Sequence, residues 1–138
     1  MVKANDVIFS RRGDLTRSAY ISDDRNNVGF FCGTGCLLLR VPAEIIHGGW
    51  FSLLYGTPQI QSQVDGLAVG STMANLNSSI LGKLRIPAPS SAEQAEIFKR
   101  IEQSEYSLVQ LKEEQNKRLL QKKGLMQDLL TGKVPVPV

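Results

Sequence analysis

Leu84-Arg85-Ile86-Pro87-Ala88-Pro89-Ser90-Ser91-Ala92-Glu93-Gln94-Ala95-Glu96-Ile97 is the point at which the chain changes its hydrophobic period. Downstream, over 93–130, there is no proline and one glycine, and Glu, Gln, Lys, Leu and Arg dominate. These straight-chain residues lose little rotamer freedom in a helix. Ser90-Ser91-Ala92-Glu93 has the form of a capping box, in which the Ser90 hydroxyl and the Glu93 carboxylate satisfy amide donors reciprocally. Gly132 followed by Pro135 supplies the stop. The pattern predicts one helix on the order of 57 Å long at ~1.5 Å per residue.

Along that helix Ile97, Ile101, Leu108, Leu111, Leu125 and Leu129 fall on a seam spaced four and three apart, interrupted by Ser104, Gln115, Arg118 and Lys122. Phe98, Val109, Leu119, Met126 and Leu130 make a second stripe on a neighbouring face. So much apolar surface needs a cover, and a straight helix of this length cannot bury all of itself against the residues before it. Pairing with another helix as a coiled coil is expected, the polar interruptions fixing register or orientation rather than adding stability. Each leucine-sized side chain buried contributes about 1.5–3 kcal/mol, so several pairs offset the entropy of association.

Upstream of Pro87, short β-rich runs alternate with Gly, Asp and Asn, and strands are predicted over 6–10, 18–22, 28–31 and 36–41. Over 42–64 the period lengthens, interrupted by Gly48-Gly49 and Thr57-Pro58, and two short helices are expected. Leu84-Arg85-Ile86 reads as a last strand stopped by proline. Trp50, Phe51 and Tyr55 stand at helical spacing, which suits a core more than a platform for stacking bases. The predicted class is α+β: a small mixed, β-rich domain over 1–89, a long helix over 90–132 and a tail over 133–138.

A chain of 138 residues accommodates one compact domain and an appendage, with no room for a methyltransferase or motor domain besides. Apolar residues at 42% and charged residues at 21% suit a globular protein, and no run nears the ~20 apolar residues of a membrane span. No apolar segment follows Lys3, so no secretory signal and a cytoplasmic address are expected. The net charge of +3 permits nucleic-acid binding without requiring it. Cys32 and Cys36, with His47 as the only histidine, fall short of a structural zinc set, so reduced thiols and no metal are expected. No Walker loop, Asn-Pro-Pro-aromatic motif or Glu-x-Lys pair occurs, so the chain is expected to be non-catalytic and without cofactors.

Five pieces stand in a set order: Asp6-Val7-Ile8-Phe9-Ser10-Arg11-Arg12-Gly13-Asp14-Leu15, then Cys32-Gly33-Thr34-Gly35-Cys36-Leu37-Leu38-Leu39-Arg40-Val41, then Gly70-Ser71-Thr72-Met73-Ala74-Asn75-Leu76-Asn77 running on through Leu84-Arg85-Ile86-Pro87-Ala88-Pro89, then Glu93-Gln94-Ala95-Glu96-Ile97, and finally Leu129-Leu130-Thr131-Gly132-Lys133-Val134. In that order they resemble the specificity subunit of type I restriction-modification systems, over nearly the whole chain. The resemblance implies that residues up to about Pro89 belong to a target-recognition domain and that the helix is the conserved spacer. In a complete member, two such domains are joined by two spacer helices packed antiparallel, and each domain reads half of a bipartite site in duplex DNA. The helix pair docks the modification (methyltransferase) subunits and, through them, the restriction subunit. Only residues 1–89 precede the helix, so the chain is similar to the distal half of one recognition domain plus its spacer. Pairing as a homodimer or with another specificity fragment is implied, with no membrane partner. The rival expectation is a protein that dimerises or competes for the modification subunit without reading DNA.

Within that resemblance, Arg11, Arg12, Arg17 and Arg25 are the leading candidates for DNA contact, since guanidinium groups bond phosphates and the O6/N7 edge of guanine. Asp14, Asp23 and Asp24 offset much of this charge, as on an ordinary solvated surface. Ser71, Thr72 and Asn75 form a second polar patch able to bond adenine edges or phosphates, whereas Asn77 suits the N-cap of a following helix. Lys83 is a candidate backbone contact or, with Arg85, a charge guarding a strand edge.

Overall fold

The computed structural model describes residues 1–23, 29–68 and 75–136. The chain forms two compact units, Met1–Phe98 and Lys99–Val138. The first contains a three-stranded antiparallel sheet in the order β2-β1-β3, with β1 at Val7–Ser10, β2 at Ser18–Tyr20 and β3 at Cys36–Leu39. Val7 stands opposite Tyr20 and Leu39, and Phe9 opposite Ser18 and Leu37. The two-residue alternation of a strand sends Val7 and Phe9 into the core and leaves Ile8 and Ser10 half-buried on the other face.

Among the described residues, three short helices join the sheet in this unit: α1 at Gly48–Tyr55, α2 at Pro58–Ala68 and α3 at Ser78–Lys83. Pro58 opens α2, where a missing amide proton costs no helical hydrogen bond. The core gathers Val7, Phe9, Leu15, Trp50, Phe51, Tyr55, Ile60, Val64, Leu76 and Ile80. Phe9 meets Tyr55 edge-on at a centroid distance of 4.6 Å and Phe51 at 6.0 Å. The Tyr55 hydroxyl donates to the Leu15 carbonyl at 2.6 Å, so its one polar atom is satisfied inside. The three aromatics at helical spacing are thus core residues.

Two expected strands are not formed among the described residues. Phe30 and Phe31 are irregular and exposed, held by a bond from Val2 N to Phe30 O at 2.9 Å; Val28 lies outside the described residues. Leu84 is extended, yet residues 84–86 join no strand, and the backbone of Arg85 is met by a side chain. Arg85 N donates to Gln63 Oε1 at 2.8 Å, and Gln63 Nε2 donates to Arg85 O at 3.1 Å. The glutamine amide thereby stands in for the backbone of a neighbouring strand.

The predicted long helix is α4, Ser91–Leu130, 40 residues. Glu93 N donates to Ser90 Oγ at 3.3 Å, the serine half of the expected capping pair. Gln94, buried to 3% exposure, accepts from His47 N at 2.9 Å and donates to Ile45 O at 3.2 Å and Pro89 O at 3.0 Å. This one amide fixes the first turn of α4 to the segment entering α1. Ile97 and Phe98 pack against the core, Phe98 meeting His47 at 5.0 Å and Tyr20 at 5.2 Å between ring centroids.

On the same side of the first unit, Asn5 donates to Val41 O and Ile46 O, each at 3.0 Å, and accepts from Gly48 N at 2.7 Å. Gly48 is demanded by this approach: a Cβ there would stand 2.5 Å from Asn5 O. In the second unit α4 ends as expected near Gly132, whose amide donates to Leu129 O at 3.2 Å. Among the described residues no helix is long and apolar enough to cross a membrane.

Candidate nucleic-acid interface

The loop from β1 to β2 carries three of the predicted arginines. Ser10 N donates to Arg17 O at 3.0 Å and closes the loop; Gly13, at φ 77°, makes its turn in the left-handed region that side chains rarely enter. Asp14 organises the return: Oδ1 accepts from Thr16 N at 3.0 Å and from Thr16 Oγ1 at 2.5 Å, and Oδ2 accepts from Arg17 Nε at 3.1 Å. These bonds, the Thr16 hydroxyl first, hold the Asp14 carboxyl below the usual carboxylate range. Arg17 is therefore exposed but already paired, in a surface ion pair of the kind that contributes little to stability.

Arg11 is fixed from three directions. Its amide donates to Gly35 O at 3.0 Å, its carbonyl accepts from Leu76 N at 3.0 Å, and its Nε donates to Asn75 Oδ1 at 3.2 Å. Arg12, exposed, forms an isolated antiparallel bridge with Asn75, and Ser10 Oγ donates to its carbonyl at 2.9 Å. The loop after β1, the turn before β3 and the segment before α3 thus converge at Arg11. Arg11, Arg12 and Asn75, candidates from two separate sequence patches, become one junction.

The other candidates fall elsewhere. Asn77 caps α3 by accepting from Ile80 N at 3.0 Å, the role its position suggested. Lys83 is exposed in the last turn of α3. Arg25, Ser71 and Thr72 lie outside the described residues. Of the six seam residues, Ile97 sits against the core of the first unit. Ile101 is 38% exposed, Leu108 54%, Leu111 61%, Leu125 52% and Leu129 43%, so these five offer apolar surface. Arg118, which interrupts the seam, is bound to Glu114 at 2.6 Å across one helical turn.

An ion pair that the sequence did not announce holds Arg40, the residue that follows β3. Arg40 Nε and Nη2 donate to Asp6 Oδ1 and Oδ2 at 2.8 and 2.7 Å, and Lys3 N donates to Oδ2 at 2.6 Å. The Arg40 guanidinium, outweighing the burial of Asp6, holds that carboxyl below the usual range. The signal was the β1–β3 register: Val7 pairs with Leu39, so the next positions outward are Asp6 and Arg40. Cys32 and Cys36 are free thiols, and burial pushes the Cys32 thiol up. Among the described residues no three His, Cys, Asp or Glu side chains gather where a metal ion would sit.

A family model described as type I restriction modification DNA specificity domain matches residues 1–121, a span that includes the whole sheet, the Arg11–Asn75 junction and most of α4. With that match covering well over half of its length, the chain belongs to the type I restriction modification DNA specificity domain family.

Proposed function

We propose that this chain reads one half of a bipartite site in duplex DNA for a type I restriction-modification complex. It supplies sequence recognition, and partner subunits supply adenine methylation and cleavage. The observation that carries the reading is the junction of Arg11, Arg12 and Asn75, where donors suited to base edges and phosphates meet from segments 64 residues apart. Arg17 and Lys83, both exposed, add backbone contacts, and Arg25, Ser71 and Thr72 belong to the same proposed set. The apolar face of α4 pairs antiparallel with a second copy or another specificity fragment, and the pair docks the modification subunit.

Electrophoretic mobility or anisotropy measurements with duplex DNA, at low salt and in the presence of the modification subunit, test this reading. Replacing Arg11 and Arg12 together by alanine is expected to weaken binding at least tenfold, about 1.4 kcal/mol, while the fold is kept. Equal binding by the double variant and the parent would remove the junction from the interface. A second reading, interaction without DNA recognition, draws on the apolar exposure of Leu108 and Leu111. It predicts that only substitutions on α4 have any effect.

A further inference from the structure

Arg11 is anchored more thoroughly than an arginine in a solvated loop needs to be. Its backbone amide and carbonyl are both engaged by other segments, at Gly35 and Leu76, and the Nε proton is taken by Asn75 Oδ1 at 3.2 Å. A guanidinium has five N–H donors in a rigid plane. With Nε occupied, the four donors of Nη1 and Nη2 form the terminal end of the fork. The one carboxylate on the same loop, Asp14, is already committed to Thr16 and Arg17. Nothing acidic on that loop is left to draw the fork back.

We propose that Asn75 is a positioning residue that aims the terminal fork of Arg11 at a guanine in the major groove, so that a G·C pair is part of the half-site. This rests on the DNA-recognition reading above and deepens it. Guanine offers two adjacent acceptors, O6 and N7, to such a fork; adenine replaces one of them with a donor and thymine offers a single acceptor beside a methyl group. Preselecting the rotamer of Arg11 removes much of the side-chain ordering that binding otherwise requires. A phosphate would accept the same fork, but it would gain nothing from a fixed orientation of the guanidinium plane beyond register along the backbone.

The test is selection from a random duplex library by the complete chain assembled with the modification subunit, comparing the parent with Asn75→Ala, Asn75→Asp, Arg11→Ala and Arg11→Lys. The parent is expected to select guanine at one position that Arg11→Ala relaxes by roughly 5- to 150-fold. Asn75→Ala relaxes the same position alone, and so does Asn75→Asp, whose carboxylate pairs with the guanidinium and draws the fork away from the base. Arg11→Lys keeps the charge and can still donate to guanine O6 and N7, but it lacks the Nε proton that Asn75 holds, so its guanine preference is weaker than the parent's while affinity for non-specific duplex is retained; an undiminished preference in Arg11→Lys overturns the positioning role if Asn75→Ala does not fold. A uniform loss of affinity at every position, with no change in base preference, assigns Arg11 to a phosphate and overturns the proposal. Loss of guanine selection in Arg11→Ala but not in a folded Asn75→Ala removes the positioning role. Absence of duplex binding by the parent complex at low salt overturns the DNA-recognition reading along with this one, whereas specific binding unaltered by any variant overturns this one alone.

Discussion

At Asp6 a buried carboxylate is held between the Arg40 guanidinium and the Lys3 amide, and this ties the start of β1 to the end of β3. Its folded-state pKa is lowered, so the unfolded chain takes up a proton at a higher pH than the folded chain does. The stabilisation is therefore complete above the ordinary carboxylate pKa, about 4, and is lost as pH falls from there through the lowered folded value. Asp6→Asn is expected to destabilise the first unit at neutral pH by about 1.5–3 kcal/mol, the range for a hydrogen bond to a charged group. It should also flatten the acid limb of the stability profile below pH ~4. Thermal melts of both proteins across that range check both effects. Curves that stay parallel down to the acid limb would mean that Asp6 carries none of the pH dependence.

Helices α1 and α4 each contain glycine, with opposite consequences. Propensity alone makes Gly→Ala in a helix favourable by up to about 1 kcal/mol. At Gly124 in α4 an added Cβ meets nothing within 4 Å, and Gly124→Ala is expected to raise the melting temperature. At Gly48 in α1 the same Cβ would lie 2.5 Å from Asn5 O and 3.1 Å from Tyr20 Cδ2, so Gly48→Ala is expected to cost about 1–3 kcal/mol despite the better helix former. Melting the two variants side by side reads the sign of each. The contrast also shows what local sequence conveys. The long helix, the Asn77 cap, the Ser90 cap and the aromatic core were legible because each depends on neighbours within a turn or on a period. The strand expected over 84–86 was not, since strand identity requires a partner chain and here a glutamine side chain took that place. Periodicity placed Ile97 on a seam but could not say that its cover is the core of the first unit. The Arg11–Asn75 contact, closed across 64 residues, has no local signature, although both residues were singled out for their chemistry.

For the whole molecule, the proposed half-site reader and the proposed pairing helix make a joint prediction. Binding to DNA releases counterions in proportion to the phosphates neutralised, and the logarithm of affinity falls with the logarithm of salt at about −0.9 per phosphate. A paired assembly on a bipartite site engages phosphates through two recognition domains, and an unpaired chain through one. Leu111 is 61% exposed on α4 and lies outside the first unit, so Leu111→Asp is expected to leave that unit folded while removing a central apolar contact from the proposed helix pair. Sedimentation should then show loss of the dimer or of the complex with a specificity fragment, and binding to a two-half-site duplex should drop towards that of a single half-site. The salt slope should fall by about half, because half of the phosphate contacts are lost. A Leu111→Asp chain that sediments as a monomer yet keeps the parent slope would show that one copy makes all the phosphate contacts. A dimer that persists unchanged would move the pairing surface off this face of the helix.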